Sequence, residues 1–181
     1  MRLNDDQYEF IKGEVTALFE QYDIKCIPIS GFELAAKMGI KLISYSSLSH
    51  RKQKQAMRTS PDGFFLEAND GTEIIYYNDK KDYRRINMTI LHEIAHCVLD
   101  HQEGTEIEEA EAKFFAKYAL APPPLVHRIC PITPEEIELV FDLSHEASIY
   151  AFNYYRKWLR RRSYSFCSDY ELRLLNLFMT A

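Results

Sequence analysis

The 181-residue sequence predicts an α+β fold: a small antiparallel β-sheet, a buried helix that carries a histidine pair, and a helical C-terminal region. Three observations predict it. Two apolar runs, 62–68 and 73–78, flank Asn69-Asp70-Gly71-Thr72, a turn sequence that joins antiparallel strands. Residues 82–101, wound at about 100° per residue, are apolar nearly all round, as in a buried helix. Beyond residue 124, helix starts follow one another with no further strand-like run.

Each element has its own local signal. Asn4-Asp5-Asp6 caps a first helix to about Tyr22, with Tyr8, Ile11, Val15, Leu18 and Phe19 on its apolar stripe. Ser30 and Glu33 form a capping box that opens a short helix, and Gly39 ends it. Residues 40–45 read as a strand, and 51–58 as a basic, solvated loop with four cations. In the hairpin, Phe64, Leu66, Ile75 and Tyr77 supply core and cross-strand packing. Thr105 and Glu108 make another capping box. Its helix runs to about Leu120 and stops before Pro122-Pro123-Pro124. Thr133-Pro134-Glu135-Glu136 starts a helix to about Phe141, and Ser144 caps the next, to about Arg161. Two helices joined by so tight a turn resemble a helix-turn-helix. Residues 168–181 read as a last short helix that packs through Leu172, Leu175 and Phe178.

The chemistry concentrates at His92-Glu93-x-x-His96. Histidines four apart share one helix face, so both imidazoles reach one metal. Glu93, about 100° away, flanks that metal and can touch a water on its open side. These are the parts of a metal-activated hydrolase with a carboxylate base. A helix buried all round must also satisfy its two histidines and its glutamate, and a metal does so. Zinc is the expected ion, with three protein ligands. A third ligand on the same helix, in the pattern H-E-x-x-H-x-x-G-x-x-H, is excluded by Leu99 and Gln102. His101 would point about 140° away from His96 if the helix continued. The next helix offers Glu111, which falls in the middle of the stripe Ile107, Ala110, Phe114, Phe115 and Tyr118. Glu106, Glu108 and Glu109 suit a helix N-terminus on electrostatic grounds alone. A carboxylate centred on an apolar face needs a cation, so Glu111 is the expected third ligand. Tyr76, Tyr77 and His127 are conceivable donors to an oxyanion, and Asp100 a conceivable support for His96.

The run Arg85-x-x-Met88-Thr89-x-Leu91-His92-Glu93-Ile94-Ala95-His96, followed by Glu111-Ala112-x-x-Phe115-Ala116-x-x-Ala119-Leu120-x-Pro122, resembles the ImmA/IrrE family of bacterial metallopeptidases. Lys113 stands where that family usually has Asn, Ala119 where it has Leu, and Met88 where it has Phe. The resemblance implies a zincin-like fold, with a metallopeptidase domain over residues 1–124 and a helical region over 125–181 packed on it. It implies a zinc endopeptidase that acts as an anti-repressor by cleaving a helix-turn-helix transcriptional repressor. The alternative is a non-proteolytic partner of a DNA-binding regulator, as in toxin–antitoxin pairs, that retains a zinc site. Glu93 weighs against it, since a purely structural site has no use for that residue.

Composition bounds the rest. A net charge of −5 and an acid, Glu146, at the start of the second helix of the pair speak against direct DNA binding. The cations Arg156, Lys157 and 160–162 suit that helix's C-terminal end. Cys26, Cys97, Cys130 and Cys167 form no C-x-x-C pair. The first residues lack an apolar signal core, and no stretch approaches membrane length. Reduced thiols and a cytoplasmic location are therefore expected, without membrane partners.

Overall fold

In the computed structural model, residues 2–162 and 167–179 are described. The chain forms two compact units: residues 1–2 with Ser30–Ala116, and Leu3–Ile29 with Lys117–Ala181.

The first unit begins with α2, Gly31–Met38. Its cap Ser30 accepts from the Glu33 N–H, and Gly39 closes it in the left-handed conformation at φ 81°. Strands β1 (Lys41–Ser44), β2 (Gly63–Glu67) and β3 (Glu73–Tyr77) form one sheet in the order β1-β3-β2. The β2–β3 hairpin is antiparallel, with Phe65 opposite Ile75, and its turn places Gly71 at φ 78°. The sheet as a whole is mixed, because β1 runs parallel to β3 with Leu42 opposite Ile75. A parallel pair requires a long crossover. The chain provides it through α3, His50–Thr59, and β2 itself. Helix α3 occupies the stretch expected to be a basic loop. Arg51, Lys52, Lys54, Gln55, Ala56 and Met57 are all good helix formers, no glycine or proline interrupts them, and Ala56 is the buried anchor. The four cations of 51–58 are thus carried on a helix.

Helix α4, Tyr83–Val98, packs on β2 and β3 and carries the histidine pair. Asp82 caps it by accepting from the Arg85 N–H at 3.0 Å. Ile90, Leu91, Ile94 and Ala95 are fully buried. The buried Asn87 side chain accepts from the Gly31 N–H at 2.6 Å and so ties α2 to α4. Helix α5, Glu106–Leu120, gives its first part, through Ala116, to this unit. Its capping box forms as expected: Glu108 N–H donates to Thr105 Oγ1 at 3.2 Å, and Thr105 N–H donates to Glu108 Oε2 at 2.7 Å. Those backbone donors hold the Glu108 carboxyl down at about 2.

The second unit is helical in its described residues. Helix α1 (Asp5–Gln21) starts with a full capping box between Asn4 and Gln7. The later part of α5 joins α6 (Pro123–His127), α7 (Pro134–Phe141), α8 (His145–Arg162) and α9 (Asp169–Met179). α6 lacked a sequence signal, because Pro122-Pro123-Pro124 reads as a stop; prolines in a first turn are nevertheless compatible with a new helix. α7 packs on α8 across a turn that uses Asp142 at φ 48°. Helix α1 packs on α9, where Arg173 pairs with Glu20 and the Tyr170 hydroxyl donates to Glu9 at 2.7 Å. The expected last helix reaches residues 180–181, which lie outside the described residues, as does the side chain of Arg162. Among the described residues, no helix is long and apolar enough to cross a membrane.

Two ion pairs at Asp62 anchor the approach to β2. Asp62 accepts from Arg85 at 3.2 and 2.6 Å, with Lys81 at 3.7 Å. The Arg85 hydrogen bonds hold its carboxyl below the usual carboxylate range. A depressed folded pKa contributes stability above the unfolded value, about 3.9, that disappears as pH falls through the folded value. Asp62→Asn should therefore cost about 0.5–1 kcal/mol at pH 7 and less at about pH 2. Urea titrations at the two pH values check this.

Candidate metal centre

Helix periodicity places His92 and His96 on one face of α4, with their Nε2 atoms 3.2 Å apart. The carboxylate that meets them is Glu109, from the first turn of α5. Its Oε2 lies 3.4 Å from His92 Nε2 and its Oε1 3.4 Å from His96 Nε2. Among the described residues, these three form a group able to hold a metal ion.

Three features of the donors fit a divalent ion. A tetrahedral zinc with bonds of about 2.0–2.1 Å separates its ligand atoms by about 3.3–3.4 Å, the spacing seen here. Two ring nitrogens at 3.2 Å either share one proton or direct two lone pairs at each other, and a cation between them relieves the second case. Burial pushes both imidazoles below their usual range, His96 to about 4 with the neighbouring His92 adding to the effect, so both are neutral ligands at pH 7.

Glu93 lies beside this group and is only 8% exposed. Its Oε2 accepts from the Phe65 N–H of β2 at 3.0 Å. Desolvation raises its carboxyl to about 7. The Phe65 hydrogen bond opposes that rise and the Glu109 charge adds to it. β2 is an edge strand of the sheet. Phe65 thus points its N–H away from β3, toward α4.

The structure differs from the sequence expectation at the third carboxylate. Glu111 is not in the histidine group: its Oε2 lies 3.1 Å from His101 Nε2. The centre of the α5 stripe faces the interior, whereas the metal group lies at the rim, where the Glu109 side chain is 57% exposed. The half-buried carboxylate of Glu111 finds a histidine as its partner. Sequence reasoning placed Glu109 among the dipole-complementing acids and gave His101 no role. α4 ends at Val98 instead of continuing to 101, and Asp100 turns left-handed at φ 53°. That turn brings His101 Nδ1 back to 3.0 Å from His96 Nδ1. Asp100 itself accepts from Gln102 Nε2 at 3.1 Å. Tyr76 stacks on Phe64 at 5.0 Å, and Tyr77 packs edge-on to Phe32 at 5.8 Å. His127 lies in the second unit, with its Nδ1 2.8 Å from the Tyr155 hydroxyl. The Cys97 thiol donates to Glu73 Oε1 at 3.1 Å.

Gly63 sets the approach of β2 to α4. A Cβ there would stand 2.6 Å from Thr89 Cγ2 and 2.8 Å from the Tyr76 carbonyl. Gly63→Ala should cost about 1–3 kcal/mol. Adding Thr89→Ser removes the first clash but not the second, so denaturation curves should show only partial recovery.

Two neutral imidazoles, a carboxylate and a buried glutamate beside an edge strand are the components of a metal-dependent hydrolase. Residues 35–129, just over half of the chain, match the IrrE N-terminal-like domain, a peptidase family, and the protein belongs to that family. No curated protein matches the chain.

Proposed function

We propose that this protein is a zinc-dependent endopeptidase of the cytoplasm that cleaves a helix-turn-helix transcriptional repressor and so acts as an anti-repressor. The observation that carries the enzymatic part is the convergence of His92, His96 and Glu109 beside the buried Glu93. The choice of a repressor rests on the resemblance to ImmA/IrrE proteases.

His92, His96 and Glu109 would hold the ion. When bound, zinc supplies Lewis acidity, which acidifies water and polarises a peptide carbonyl. Glu93 takes the proton of the attacking water and returns it to the leaving amine. The Phe65 N–H fixes the carboxylate of Glu93 for both transfers. An extended target segment adds to the outer edge of β2, so that its backbone runs past Glu93.

The test mixes the zinc-loaded protein with the helix-turn-helix regulator encoded beside its gene. Discrete regulator fragments that vanish on chelation are the expected result. A regulator that stays intact but co-purifies with the protein would replace this reading with that of a non-proteolytic binding partner.

A further inference from the structure

We infer that Glu111 and His101 are positioning residues that set the proton on His96 and so aim its Nε2 lone pair at the metal. The inference rests on the proposed metal site and extends it to two residues outside the ligand group.

The three side chains form a line. Glu111 Oε2 lies 3.1 Å from His101 Nε2, and His101 Nδ1 lies 3.0 Å from His96 Nδ1. A carboxylate accepts and a ring N–H donates, so Glu111 receives the N–H of His101 Nε2. Between the two facing Nδ1 atoms one ring donates and the other accepts. In the arrangement inferred here, His96 Nδ1 donates to His101 Nδ1, which leaves the lone pair of His96 on Nε2. That Nε2 is the atom facing His92 and Glu109 at 3.2 and 3.4 Å. Donation in the other direction, from His101 Nδ1, would put the His96 proton on Nε2, in the metal position.

Two structural details support this arrangement over a chance contact. The His101 side chain is 6% exposed and that of Glu111 19%, so water competes weakly for either hydrogen bond. His101 reaches His96 through a turn in which Asp100 adopts the left-handed conformation at φ 53°. The assignment also explains a carboxylate in the centre of an apolar helix face without making it a ligand.

The experiment uses the full chain. Zinc affinity is measured by competition with a chromophoric chelator, and the His96 tautomer in the zinc-free protein by long-range proton–nitrogen NMR. His101→Phe keeps a ring but no nitrogen. Glu111→Leu removes the acceptor, and Glu111→Gln retains one. His101→Phe and Glu111→Leu should each weaken zinc binding about 10–100-fold. Both should lose the Nδ1-protonated form of His96 as its single tautomer. Glu111→Gln should keep most of the affinity and the wild-type tautomer. Wild-type affinity and tautomer in His101→Phe would overturn the inference. Should His101→Phe fail to fold, the Glu111→Gln and Glu111→Leu pair decides, and equal behaviour of those two overturns it. A wild-type protein that binds no zinc defeats the proposed metal site, while the tautomer measurement still judges the relay.

Discussion

Glu93→Gln is expected to lower the rate of substrate cleavage by about 10²–10⁴-fold while zinc stays bound at wild-type affinity. The separation of the two effects follows from geometry. Glu93 is rotated about 100° from His92 on α4, outside the ligand group His92, His96 and Glu109. The glutamine has the same shape, and its carbonyl can still accept the Phe65 N–H that holds the carboxylate at 3.0 Å. It cannot take up a proton. Without an ion, burial raises the Glu93 carboxyl to about 7, and a bound cation beside it would favour the ionised form that accepts a proton. Glutamine also removes a charge from a site only 8% exposed, so the zinc-free variant should unfold at no lower denaturant concentration than the wild type. Cleavage by gel and zinc by competition, measured on the same preparations, check both halves. Cleavage by Glu93→Gln at the wild-type rate would remove Glu93 from the mechanism.

Features encoded within a few residues were legible in the sequence. The helix caps at Asn4, Ser30 and Thr105, the hairpin turn around Gly71 and the helix carrying His92 and His96 all depend on neighbours in sequence. Features that depend on distant partners were not. The parallel pairing of β1 with β3 joins residues more than thirty apart, and a four-residue strand with two apolar residues cannot announce its direction. Helix α3 was obscured because its charge suggested a loop, while one buried residue, Ala56, gave too weak a stripe to reveal it. At the metal group, burial was a sound guide to where a carboxylate needs a partner and a poor guide to which partner it finds. A site that admits substrate has an open side, so its carboxylate can sit at the edge of a helix stripe. Glu109 does so, and its signal was lost among four glutamates in six residues. His101 was hidden by the assumption that α4 continues. Asp100 in the left-handed region, which no glycine foreshadowed, changes its direction.

Glu109→Gln should weaken zinc binding by more than about 100-fold, beyond the loss expected for groups that act through a ligand. Glu109 faces both imidazoles, with one oxygen 3.4 Å from each Nε2. A neutral amide oxygen is a much poorer donor to a divalent ion than a carboxylate, and the two histidines alone leave zinc short of the three protein ligands usual at a catalytic site. Substitution at this exposed position, 57% accessible, should leave the fold intact, so loss of metal is not confounded by unfolding. The informative comparison is with Glu111→Gln. The two glutamates are two residues apart on α5 and about 200° apart around it, so they cannot serve one metal from the same helix face. If Glu109 is the ligand and Glu111 the acceptor for His101, only Glu109→Gln becomes metal-poor at micromolar zinc. The reverse result, zinc retained in Glu109→Gln and lost in Glu111→Gln, would make Glu111 the ligand. It would also dissolve the relay through His101, because a carboxylate bound to the metal cannot at once anchor the far end of that chain.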